Sequence, residues 1–80
     1  VSVDVGRIRA LVDAIEAGDK ARIETLASEL GLRVEWYGTL FRLRRVSRSV
    51  LCVLGMPRDQ IKQQMRVLFG RIWTIASRSS

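Results

Sequence analysis

Several side chains with common catalytic or structural uses are scarce in this sequence. Histidine is absent from the 80 residues, and cysteine occurs once, as Cys52. The chain therefore lacks the commonest general base and cannot supply an ordinary set of zinc ligands. A lone cysteine also excludes an internal disulfide, which favours a reducing compartment. The apolar runs are too short to span a bilayer, and the N-terminal residues have no signal-peptide pattern. We therefore expect a cytoplasmic protein that has no membrane span and needs no metal or other cofactor.

The motifs of common enzymes are missing as well. The sequence has no glycine-rich loop that would hold a phosphate and no nucleophile paired with a base. Cys52 lies in the apolar run 50–54, where the role of a small buried side chain is expected. The acids of the first half fall at exposed helical positions, so we expect them to be solvated or ion-paired. These absences predict a protein that is not an enzyme.

Acidic residues become scarce in the second part of the chain. Residues 1–31 carry six acids and four bases, whereas residues 32–80 carry two acids and ten bases. Such an excess of arginine is typical of a polyanion-binding surface, because each cation placed near a phosphate releases a condensed counterion. A well-solvated surface with no nucleic-acid role is the alternative interpretation.

The length predicts one small domain over 1–80, and the pattern divides it into three segments. Apolar residues at helical spacing, with glycines at 18 and 31 as stop signals, predict a helical hairpin over 5–30. Residues 32–54 form a basic middle segment. Beyond Pro57, apolar residues fall on one helical face and predict a C-terminal amphipathic helix over 57–77.

The middle segment permits two structures. Apolar and polar residues alternate over 32–37 and again over 41–44, and Gly38 lies between these runs, which indicates a β-hairpin. The same residues also form one face of a helix, in which Gly38 would cost about 1 kcal/mol relative to alanine. We expect the helix, and hence a mainly α fold, a small bundle of four to five helices with a helix-turn-helix. The alternative is an α+β fold with a hairpin at about 33–46.

Two parts of the sequence have the spacing of a helix-turn-helix. Residues 26–32 are L-A-S-E-L-G-L and residues 50–56 are V-L-C-V-L-G-M, each followed by apolar residues six and ten positions after the glycine. The first resembles the L-A-x-x-L-G-L phrase of bacterial helix-turn-helix regulators. The second, over 51–66, resembles the L-G-x-P-x-x-x-I-K phrase of the DNA-binding region of sigma factors and related regulators. The resemblance implies a DNA-binding protein in which residues 57–69 form the recognition helix.

A recognition helix at 57–69 would present a basic and amide-rich face to DNA. Arginine and glutamine form bidentate hydrogen bonds with guanine and adenine edges, while the arginines of the middle segment would contact phosphates. The solvated face of an amphipathic helix is the alternative for these side chains. The predicted nucleic-acid-binding residues are Arg42, Arg44, Arg45, Arg48, Arg58, Gln60, Lys62, Gln63 and Arg66.

The aromatic residues suggest two further contacts. If residues 33–46 form a hairpin, Trp36 and Tyr37 beside Arg33 and Arg42 could stack unpaired bases, as in a binder of single strands or RNA, although for Trp36 we expect core packing. The aromatic end of the last helix is also compatible with an interface with a partner or a second copy, but for Trp73 itself we expect closure of the core against the helical hairpin. The predicted interface residues are Phe69, Ile72, Trp73 and Ala76.

Together these patterns predict a small basic transcriptional regulator that binds duplex DNA, as a homodimer. The alternative is a small adaptor or inhibitor that docks on a larger, acidic protein partner through its aromatic C-terminal helix.

Overall fold

Two helices, a three-stranded sheet and two further helices follow one another along the chain. The computed structural model describes the backbone of residues 5–78 and the side chains of residues 5–74. Within that range, no helix is both long and apolar enough to cross a membrane. The elements in chain order are α1 (Val5–Ala17), α2 (Lys20–Glu29), β1 (Arg33–Tyr37), β2 (Leu40–Arg45), β3 (Arg48–Val53), α3 (Arg58–Phe69) and α4 (Arg71–Arg78).

The turn between α1 and α2 is built from local hydrogen bonds. Gly18 has a φ of 73°, a left-handed conformation that glycine adopts without a steric penalty, and its N–H donates to Ile15 O at 3.1 Å. Asp19 then caps α2, because its Oδ1 accepts a hydrogen bond from Arg22 N at 3.2 Å. The glycine that ends α1 and the aspartate that caps α2 are adjacent, so a tight turn joins the two helices into a hairpin within residues 5–30.

The three strands form an antiparallel sheet in the order β1-β2-β3. The β1–β2 register runs from Arg33 opposite Arg44 to Tyr37 opposite Leu40, around a two-residue loop that begins with Gly38 at a φ of 71°. The β2–β3 turn has Val46 in the first loop position with a φ of 55°. A positive φ is an uncommon conformation for a β-branched residue, so this turn is strained.

The expected mainly α bundle is wrong, because the structure is an α+β fold with four helices and a three-stranded sheet over residues 5–78. Residues 33–46 form the hairpin that was the alternative, and 48–53 pair with it as a third strand. The physical reason is the alternation itself: as strands, these segments turn Phe41, Leu43, Val50 and Cys52 to one face, where they are buried.

The helix-turn-helix spacing does not produce a pair of helices at either place. Residues 26–32 contain the end of α2 and the turn into β1, while 50–56 contain most of β3 and the turn after it. Residues 57–69 do hold a helix, α3, but the element before it is a strand.

The expected single helix over 57–77 is also corrected, because the chain breaks it at Gly70. Gly70 has a φ of 60° and a ψ of −124°, which lies outside the helical region. Its N–H donates the last hydrogen bond of α3, to Arg66 O at 2.8 Å. Its carbonyl accepts a hydrogen bond from Trp73 N at 3.1 Å at the start of α4. The apolar periodicity continues across the break, so it did not reveal the change of direction.

The core lies between the helices and one face of the sheet. Its fully buried side chains come from α1, α2, β2, β3 and α3, and Trp73 of α4 packs with them. The turn after β3 is fixed to α1 by a hydrogen bond from Gly55 N to Ile15 O at 2.8 Å. The fully buried members with the largest side chains are Phe41, Ile8, Leu11, Ile15, Ile23, Leu43, Ile61, Met65 and Leu68.

Candidate functional site

The second face of the sheet has no helix packed on it within residues 5–78, and we call it the open face. Alternate residues of each strand point to opposite faces, so the side chains that do not enter the core form this surface. The strand register arranges them in three rows across β1, β2 and β3. The rows are Arg33–Arg44–Ser49, Glu35–Arg42–Leu51 and Tyr37–Leu40–Val53.

Two arginines face each other at one end of the open face. Arg33 and Arg44 are direct cross-strand partners, and both side chains are exposed. Neither has an ion pair with an acid among the described residues. Like charges directly opposite each other on a sheet destabilise it, and a bound anion would remove that cost. The two arginines also line a shallow depression of about 330 Å³ with Gly31 and Val46.

The middle row contains one arginine and the one acid of this face. Arg42 lies opposite Glu35, and its guanidinium carbon is 6.0 Å from the centroid of the Tyr37 ring. Glu35 Oε2 accepts a hydrogen bond from the Tyr37 hydroxyl at 3.2 Å. The open face therefore holds three arginines against one glutamate, and Arg42 links its basic part to the aromatic ring.

The other end of the open face is apolar. Tyr37, Leu51 and Val53 are 51%, 48% and 44% exposed, and the half-buried Leu40 lies between the outer two strands. Side chains this large and this exposed usually occur singly on a surface, but here they are neighbours in the sheet. The open face thus has a basic end and an apolar end.

The middle arginines predicted to contact phosphate divide between two places. Arg42 and Arg44 are on the open face. Arg45 and Arg48 are direct partners on the opposite side of the sheet, beside the end of α3. The Arg45 guanidinium lies 5.4 Å from the centroid of the Phe69 ring and donates to Leu68 O at 3.4 Å. A cation here is favourable because the last carbonyls of a helix carry partial negative charge.

Arg58, at the start of α3, forms ion pairs within the protein and is not available to a ligand in this conformation. Its Nη1 donates to Asp13 Oδ1 at 2.8 Å and to Glu16 Oε1 at 2.9 Å, which ties the start of α3 to α1. The hydrogen bond to Asp13, with a further one to Glu16, raises the pKa of the Arg58 guanidinium. Both donated bonds would have to break before this atom could contact a base.

The remaining predicted base contacts, on α3, are exposed. Gln60, Lys62, Gln63 and Arg66 all face solvent, and the last three line a shallow depression of about 320 Å³ with Asp59 and Trp73. Because α3 packs on the core face of the sheet, these side chains do not join Arg42 and Arg44. The nine predicted residues therefore do not form one surface.

The predicted partner interface lies largely in the core. Phe69 and Trp73 are 3% and 5% exposed, and the half-buried Ile72 packs against the same cluster. Ala76 lies outside the residues whose side chains are described. Trp73 thus closes the core beside α1, the structural role that we expected for it.

Trp36 and Cys52 are both turned away from the open face. The Trp36 ring packs 4.8 Å from the Phe41 ring and under the Lys20 ammonium at 4.7 Å, and its buried indole N–H has no hydrogen-bond partner among the described residues. Of the two aromatic residues considered for base stacking, Tyr37 is the one on the open face, and Trp36 packs against the core as expected. Burial raises the pKa of the Cys52 thiol to about 12, so this thiol is protonated and unreactive. The described residues contain no cluster of acids and thiols suited to a metal ion.

From the sequence, Leu51 and Val53 were not selected as site residues, and Arg33 was named only beside Trp36 and Tyr37 in the alternative hairpin. The signal was present, because a two-residue loop at 38–39 places Arg33 opposite Arg44 by simple counting along both strands. The helical interpretation of 32–46 concealed this pair.

Comparisons with protein-family models, curated proteins and solved structures find no match to this chain.

Proposed function

We propose that this protein binds nucleic acid through the open face of its sheet. The observation that carries the proposal is the direct pairing of Arg33 with Arg44, with Arg42 one row away. The backbone register holds these three cations at fixed spacing, about 7 Å between rows along a strand. A run of phosphates would replace their mutual repulsion with attraction and release counterions.

The open face is a better candidate than α3. A recognition helix is normally supported by a preceding helix that crosses the DNA backbone, and here a strand precedes α3. Arg58, which begins that helix, is already bound to two carboxylates. A cytoplasmic location is part of the proposal, since a lone free cysteine suits a reducing compartment.

The test measures binding to fluorescently labelled 20-nucleotide single strands and 20-base-pair duplexes by anisotropy over a range of salt concentrations. The variant Arg33→Ala/Arg44→Ala should weaken binding at least about tenfold. It should also reduce the slope of log K against log salt by about 1.4 on single strands or about 1.8 on duplex, the values for two lost phosphate contacts.

The matched control is Lys62→Ala/Arg66→Ala, which removes the same charge from the exposed side of α3. It should change affinity much less, through the general field of the protein alone. An equal loss in both double variants would contradict binding at the open face, and an absence of binding by the unaltered protein at low salt would refute nucleic-acid binding.

A further inference from the structure

We infer that the nucleic acid bound at the open face is single-stranded, with phosphates at the basic end and bases against the apolar end. The inference rests on the proposed function and adds the strandedness of the ligand. Its structural basis is that one end of the open face is basic and the other end is apolar. The Arg33–Arg44 row and the Tyr37–Leu40 row are four residues apart along each strand, a separation of about 13 Å.

The apolar end matches the exposed face of an unpaired base. Every base has a π-face that stacks on an aromatic ring regardless of sequence, and Tyr37 offers a ring that is half exposed. Leu51 and Val53 extend this surface across the sheet to β3. Arg42, which lies over the Tyr37 ring, places a planar cation at the boundary where sugar and phosphate meet the base.

A duplex offers this apolar end less than a single strand does. A sheet can enter a groove of duplex DNA, where it meets base edges, thymine methyl groups and the sugar–phosphate backbone, but the faces of the bases are stacked inside the helix. Tyr37 would then have no base face to stack on, and Leu51 and Val53 would have few apolar groups to contact. A single strand lets both ends of the open face make favourable contacts at once.

A second copy of the chain fits the open face less well. Packing two open faces together would bring six arginines into one interface against two glutamates, counting the three rows of each copy. Like charges brought together in this way oppose association. The charge of the face thus favours a polyanion over self-association.

The test compares the affinity of the unaltered protein for dT20, rU20 and a 20-base-pair duplex of mixed sequence at the same salt concentration. At least one single strand should bind about tenfold more tightly than the duplex. Tyr37→Leu should lose about tenfold in single-strand affinity and keep its duplex affinity, while Tyr37→Phe should retain both, because the ring and not the hydroxyl stacks.

A second pair of variants guards against misfolding of the Tyr37 variants. Leu51→Thr and Val67→Thr each replace a half-exposed apolar side chain, on the open face and on α3 respectively. Leu51→Thr should weaken single-strand binding several-fold, and Val67→Thr should not change it. Thermal unfolding followed by circular dichroism checks that every variant is folded.

The outcomes separate this inference from the proposed function. Duplex affinity equal to or above single-strand affinity, with dependence on Arg33 and Arg44, would overturn the inference and keep the function. Equal loss for Leu51→Thr and Val67→Thr would also overturn it. If no oligonucleotide binds but polyglutamate does, both fall and an acidic protein becomes the ligand.

Discussion

Replacing Arg33 with glutamate should stabilise the fold while weakening nucleic-acid binding. In the native sheet Arg33 faces Arg44 with no acid paired to either among the described residues, so the change turns a repulsion into a cross-strand ion pair. Cross-strand charge pairs contribute roughly 0.2–1 kcal/mol each. Removing the repulsion and adding the attraction are two such contributions between exposed side chains, each in the lower half of that range, and together they give about 0.5–1 kcal/mol. For a domain of this size, that corresponds to a rise in Tm of about 3–6 °C.

The assay is thermal and urea unfolding of a short variant series at low salt. Arg33→Gln removes the repulsion alone and should gain about half as much stability as Arg33→Glu. Glu35→Arg is the matched control of opposite sign, because it places a second arginine opposite Arg42 and should destabilise the protein by a similar amount. All three effects should shrink at about 0.5 M salt, where charges on an exposed surface are screened.

A loss of stability in Arg33→Glu, or no dependence of the series on salt, would contradict electrostatic repulsion between Arg33 and Arg44. Either result would mean that Arg33 and Arg44 do not face each other across the first two strands. If Arg33→Glu raises stability and weakens nucleic-acid binding, the Arg33–Arg44 pair contributes to binding and destabilises the fold.

Three other experiments, two substitutions and one labelling reaction, test the remaining parts of the structure. Val46→Asn should raise the free energy of unfolding by about 1 kcal/mol, because asparagine tolerates the positive φ of 55° at this position; a lower urea midpoint would contradict the strained turn. Cys52 should not react with a thiol reagent in the native protein at pH 8, because burial raises its pKa to about 12; immediate labelling would show an accessible thiol. Trp73→Ala should cost about 3–5 kcal/mol, as expected for an aromatic residue that is 5% exposed in the core; an unchanged Tm would return Trp73 to the role of a surface anchor.

The helical hairpin was predictable because its signals are local. Gly18 and Asp19 are adjacent, and each has a stereochemical reason to end one helix or cap the next. The sheet was less predictable, because residues 32–46 fit both a period of 2 and a helical face. The alternation around Gly38 correctly indicated strands. The structure has the hairpin and not the helix because a third strand pairs with it and buries Val50 and Cys52.

The break at Gly70 was not predictable, because the apolar face continues through it. A glycine within a periodic segment is compatible with an unbroken helix, and the contact that accompanies the break comes from β3. The Nη1 atom of Arg48 would lie 3.2 Å from a Cβ at Gly70. That proximity depends on the tertiary arrangement and leaves no local pattern in the sequence.

The candidate site was only partly predictable from charge. Arg42 and Arg44 were selected as basic residues and lie on the open face, but Arg45 and Arg48 flank the turn of the next hairpin and lie on the core side. Successive residues of a strand point to opposite faces of the sheet, so basic neighbours in the sequence lie on different faces. A helical interpretation of the same segment does not predict this separation. Arg58 pairs with Asp13 and Glu16, which precede it by 45 and 42 residues. No local spacing in the sequence indicates pairs so far apart.

The most direct test of nucleic-acid binding at the open face is an NMR titration of the isotopically labelled protein with a single-stranded oligonucleotide at low salt. We expect chemical-shift changes at Arg33, Tyr37, Arg42, Arg44 and Leu51, including the side-chain Nε–H signals of the arginines, with α3 unaffected. Changes centred on Gln60, Lys62, Gln63 and Arg66 with a silent sheet, or no changes at all, would contradict binding at the open face.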